Sequence, residues 1–107
     1  MKVNPATPMG LLRWHLQINQ LDLAKVLGIS NTWVSAAESG MPVGAETTRS
    51  VLKHYSNTLY VLGLTAEDFI RGAIGGAEAL SRAQAAQAQL DREKAVAATA
   101  DGSEEKP

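Results

Sequence analysis

With 107 residues, no cysteine and a formal net charge of −1, the chain can bury one small core. It lacks the thiolates of a disulfide framework or sulfur-ligated metal, and the basic excess usual in nucleic-acid binders. Its apolar stretches fall well short of the roughly 20 residues of a membrane span.

MKVNPATPMG has no apolar segment of the kind that directs secretion, so a soluble, cytoplasmic protein without a membrane partner is expected. His15 and His54 show no ligand spacing. Paired carboxylates, a nucleophile with its base, and a phosphate loop are all missing from the pattern, so no metal, cofactor or enzymatic activity is expected. The charge is unevenly divided. Residues 1–73 hold Lys2, Arg13, Lys25, Arg49, Lys53 and Arg71 against Asp22, Glu38, Glu46, Glu67 and Asp68. From residue 74 on, Arg82, Arg92, Lys94 and Lys106 face Glu78, Asp91, Glu93, Asp101, Glu104 and Glu105, so the tail is slightly acidic.

Helical periodicity with capping signals runs through most of the chain. Thr7-Pro8 supplies an N-cap and a proline at the first helical position, and Met9, Leu12 and Leu16 follow at helical spacing, which predicts a helix over about 8–17. Asn19 is the next cap, with Asp22 three residues on, and Leu23, Ala24 and Leu27 form the apolar stripe of a second helix that Gly28 ends. Ser30 then caps a short third helix with Val34 and Ala37 inward, closing near Gly40, and MPVG forms a loop.

From Ala45 to Leu62 the positions Val51, Leu52, Tyr55, Leu59 and Leu62 keep helical spacing, and Gly63 is placed to terminate them. Thr65 and Asp68 repeat the capping pattern for a short fifth helix, whose Phe69 and Ile70 suit packing on the rest. Gly72, Gly75 and Gly76 loosen the chain before EALSRAQAAQAQLDREKAVAATA, a run of strong helix formers with only Leu80, Leu90 and Val96 as large apolar residues. It can be helical but bury little, along a thin stripe of Ala77, Leu80, Ala83 or Gln84, Gln87, Leu90 and Lys94. DGSEEKP reads as a disordered acidic end. The expected organisation is all-α: a five-helix domain over 1–73, and over 74–107 an Ala-rich helical extension with that acidic end.

Two short helices joined by Gly28-Ile29-Ser30 have the length and punctuation of a helix-turn-helix. Ala24 is small where the helices approach, Gly28 can take the positive φ of the turn, and Ile29 and Val34 fill the angle between them. Here the sequence resembles the Cro and phage-repressor (XRE-like) helix-turn-helix proteins, from about Met9 to Phe69. The specific part is LRWHLQINQLDLAKVLGISNTWVSAAESG, with Arg in helix one, Gln opening helix two, the L-A-x-x-L-G-[IV]-S core, and Glu then Gly closing helix three.

The resemblance implies a transcriptional regulator that binds double-stranded DNA as a homodimeric repressor, reading the major groove with helix 31–39. At matching positions Asn31, Thr32, Trp33, Ser35 and Ala36 would face base edges, and Asn19, Gln20 and Ser30 at the helix starts would hold phosphates. Arg13 and Glu38 match an ion pair tying helix one to the end of helix three. The chain departs from the family where members often carry Lys or Arg, having Ala36 and then GMPVGAE. The segment between Gly40 and Gly63 is also longer than usual. An early start to helix four would bring Arg49 and Lys53 to the phosphates instead.

A reading face of Asn, Thr, Ser and Ala suits A·T-rich sites, since Asn pairs bidentately with adenine and methyl groups touch thymine. Trp33 could pack on thymine methyls, on sugar, or inward beneath helix four. The charge-poor face with Trp33 and Met41 suits a second function, a protein-binding regulator of the anti-activator or antitoxin kind that keeps the fold and binds DNA weakly. Dimer contacts are expected either from the tail or from Leu59, Tyr60, Leu62, Leu64, Phe69 and Ile70 in helices four and five.

Overall fold

The computed structural model describes the backbone of residues 3–104 and the side chains of residues 3–96. The described residues form six helices and no strands: α1 (Pro8–Leu16), α2 (Gln20–Leu27), α3 (Asn31–Glu38), α4 (Ala45–Leu62), α5 (Ala66–Arg71) and α6 (Ala77–Glu104). Their starts follow local chemistry. Thr7 accepts from Gly10 N, Asn19 from Asp22 N and Ser30 from Trp33 N, while Thr65 and Asp68 close a reciprocal capping box. Gly28, Gly63 and Gly72 end α2, α4 and α5 with φ of 71°, 76° and 73°, the left-handed conformation that a Cβ disfavours.

The first five helices follow the expected order. Leu11, Leu12, Leu23, Val34, Val51, Leu59 and Phe69 are fully or almost fully excluded from solvent at the centre. Leu27, Leu62 and Leu64 close its edges. Ile70 corrects the expectation of joint packing with Phe69, because a six-residue helix can turn only one narrow face inward and Ile70 lies outside it, 49% exposed. Tyr60 is exposed as well, while Leu59, Leu62 and Leu64 are buried. The apolar surface left on α4 and α5 is therefore Tyr60, Val61 and Ile70.

The extra length between Gly40 and Gly63 goes into α4. The loop before it spans only residues 41–44, and α4 runs for 18 residues with a kink at Tyr55 (φ −133°, ψ 25°). At that point His54 Nδ1 sits 2.9 Å from Ser50 O, and a side chain entering the carbonyl ladder is a recognised cause of such bends. The half-buried Tyr55 phenol is pushed above its ordinary value by burial.

The C-terminal segment differs most from expectation. It is one 28-residue helix, and its first half belongs to the core. Ala79, Ala83 and Ala86 are buried at helical spacing against α1 and α4. Leu80 is exposed, as is Ala77. The inward face is thus the line of smallest side chains, because methyl groups let two backbones approach closely. The helix backbone also continues through Asp101–Glu104, where disorder was expected; residues 105–107 lie outside the described residues.

Candidate nucleic-acid interface

The α2–turn–α3 unit is held by packing on its inner side. Ala24 and Val34 are buried and Ile29 is half-buried against the core, while Ile29 N donates to Ala24 O at 3.0 Å. A Cβ at Gly28 would meet nothing within 4 Å, so what the turn requires there is the positive φ rather than space.

Glu38 is the anchor of the arrangement. Its carboxylate accepts from Arg13 Nε at 2.8 Å and Arg13 Nη2 at 2.9 Å, a two-point pair with both side chains almost wholly buried. Arg13 Nη1 also donates to Ile18 O at 3.2 Å, so one guanidinium joins α1, the α1–α2 loop and α3. The pair is where the resemblance implied it.

The main-chain carbonyl of Glu38 is capped as well. Asn4 Nδ2 donates to it at 3.0 Å, and the Thr7 hydroxyl lies 3.1 Å from it and from Asn4 O. Sequence reasoning missed this role. Thr7 carried the signal of an N-cap, which it is, but nothing local shows that the segment before α1 also closes the end of α3.

Gln20, expected on a phosphate, donates its Nε2 to Glu38 Oε2 at 3.1 Å, so the amide nitrogen braces the buried pair from the start of α2. Asn19 and Ser30 are exposed, and each uses its side chain as a helix cap.

The outer face of α3 carries Asn31, Thr32, Trp33 and Ser35, all exposed, with Ala36 half-buried. Of the alternatives for Trp33, the inward one is excluded: the indole is 68% exposed. It borders a groove of about 610 Å³ between the turn and the first turn of α4, with Ile29 and Ser30 on one wall and Ala45, Glu46 and Thr47 on the other. Ser50 Oγ donates to Leu27 O at 2.9 Å, which ties α4 to the end of α2. Arg49 and Lys53 are exposed one turn apart on α4. Neither lines this groove.

A second cleft, of about 660 Å³, lies on the other side of α3. Gln20, Ser35 and Ser39 form one wall, and Gln87, Leu90, Glu93 and Lys94 of α6 the other. No sequence signal connected α6 to the helix-turn-helix, since helical spacing gives a face but not what it lies against.

Among the described residues no cluster of His, Cys, Asp or Glu could hold a metal ion, and no helix is long and apolar enough to cross a membrane. Compared with protein-family models, curated proteins and solved structures, the chain matches none.

Proposed function

We propose that this protein is a sequence-specific DNA-binding transcriptional regulator, a cytoplasmic homodimeric repressor that lays α3 in the major groove of a two-fold operator. The observation that carries the reading is the two-sided character of α3: Val34, Ala37 and Glu38 are locked inward while Asn31, Thr32 and Ser35 are exposed and uncharged. A helix held from behind and open in front can present side chains to base edges in one orientation.

Asn31 reads adenine, Thr32 and Ser35 bond either kind of base, and Ala36 with the Thr32 methyl and Trp33 meets thymine methyls. Asn19, Ser30, Arg49 and Lys53 serve the phosphates, with Gln20 contributing through its brace on Glu38. The lack of Lys or Arg on α3 makes the salt dependence of affinity shallow. One short helix reads too few base pairs, so a dimer spanning half-sites roughly 34–36 Å apart is required, and Tyr60, Val61 and Ile70 on α4 and α5 are exposed apolar residues that could contribute to it, as are Leu80 and Val96 on α6.

Selection of binding sites from random duplex DNA tests the proposal. A·T-leaning half-sites at that spacing are expected, with Asn31→Ala losing about 1–3 kcal/mol at one adenine. No enrichment of any sequence over several rounds would refute it.

A second reading follows from the exposure of Trp33 and Met41, at 68% and 58%: a regulator that docks on another protein through this face. Trp33→Ala would then leave weak DNA binding unchanged, whereas in the first reading it lowers affinity for the selected duplex.

A further inference from the structure

We infer that the distal half of α6, residues 88–104, is an autoinhibitory arm lying in the path of a DNA backbone beside α3; the inference rests on the DNA-binding reading. The proximal half is fixed by its buried alanines. Beyond them the helix passes the cleft whose opposite wall is Gln20, Ser35 and Ser39. That wall is the flank of the reading helix and the start of α2, where a helix-turn-helix meets the sugar-phosphate chain. A duplex engaging α3 therefore has to share this space with α6.

The chemistry of the segment argues for exclusion rather than for a phosphate contact. Residues 88–96 carry Asp91 and Glu93 against Arg92 and Lys94, so the arm offers a phosphate no net positive charge. Glu93 lines the cleft beside Lys94, so the cation that could meet a phosphate comes with an adjacent anion. After Leu90 the helix continues for fourteen residues, roughly 21 Å at 1.5 Å per residue. The arm is also releasable. Leu90 is its only half-buried side chain among described residues 87–96. Within the arm, the Gln89–Glu93 side-chain bond at 3.4 Å stays inside the helix, as does Gln87–Asp91 at 3.0 Å across the junction, so neither bond has to break when the arm moves away.

Because the chain has no cysteine, the arm can be tethered reversibly in the full-length protein. Val3, in the segment before α1, and Lys94 both line the cleft, so Val3→Cys with Lys94→Cys gives two thiols there, to be joined by a disulfide-containing bismaleimide. The probe is a fluorescent duplex selected from random DNA by the Leu90→Ser chain, read by anisotropy. The tethered protein is expected to bind at least tenfold more weakly than the same protein after reduction, and Leu90→Ser at least tenfold more tightly than wild type. Equal affinities with and without the tether, or binding by Leu90→Ser no tighter than wild type, would overturn the arm while leaving DNA binding intact. If no form enriches any DNA in the selection, the functional reading falls and the arm with it.

Discussion

Glu38 concentrates most of what a single residue contributes here. Its carboxylate takes three hydrogen bonds, from two nitrogens of Arg13 and from Gln20, while its carbonyl closes α3 through Asn4 and Thr7. Removing one member of a buried ion pair leaves a charge without compensation, at about 3–5 kcal/mol, whereas replacing both by apolar groups of similar volume is often near neutral. Arg13→Met and Glu38→Leu alone are each expected to lower stability by that amount, and the double variant by much less than the sum. A urea-denaturation cycle measures this, and additive losses would show that the pair is not coupled. Tyr55 gives a pH signature. Its phenol is raised above the ordinary 10.0 by burial, so burial favours the neutral form. That contribution is fully present below pH 10 and is lost as pH rises through the folded value. Absorbance titration at alkaline pH, compared with Tyr55→Phe, should show that the ionisation lost on substitution lies above the ordinary value.

Among the elements, α1 shows how local rules and tertiary contacts can oppose each other. A Cβ at Gly10 would collide with Asn4 O, so Gly10→Ala has to displace the segment that caps α3. The helix-propensity gain of about 1 kcal/mol is outweighed, and thermal melts should show a net loss of about 1–3 kcal/mol, typical of overpacking. At the other end Gln17 takes φ 58°, the only non-glycine residue among those described with positive φ. Gln17→Gly is expected to stabilise by about 0.5 kcal/mol, the left-handed strain relieved less the added chain entropy. The Asn19 cap of α2 and the glycine stops of α2 and α4 were legible because they depend on neighbours within four residues. The kink at Tyr55 was not, since His54 approaching Ser50 O depends on the side-chain conformation within the bend.

For the molecule as a whole, α6 decides both shape and reach. The longest dimension is 55 Å against 30 and 22 Å, consistent with a helix of 28 residues, or roughly 42 Å. Its docking on α1 and α4 relies on alanines with almost no exposed surface. Ala83→Leu should therefore destabilise by about 1–3 kcal/mol, whereas Ala85→Leu, on the exposed side, should change stability by less than about 0.5 kcal/mol. Equal effects in chemical denaturation would mean that the alanine line is not an interface.

The division between sequence and structure follows from range. Helix boundaries, the α2–turn–α3 geometry and the outward set of Asn31, Thr32 and Ser35 could be read from residue order, because caps, a positive-φ glycine and 3.6-residue periodicity act over a few positions. Four matters needed the tertiary fold: Gln20 turning to Glu38, Asn4 closing α3, Trp33 remaining outside, and α6 choosing its Ala79–Ala83–Ala86 face. Alanine favours a helix without favouring a side of it, and a polar residue finds its partner by proximity between segments up to 34 positions apart. Those relations exist only once the chain has closed on itself.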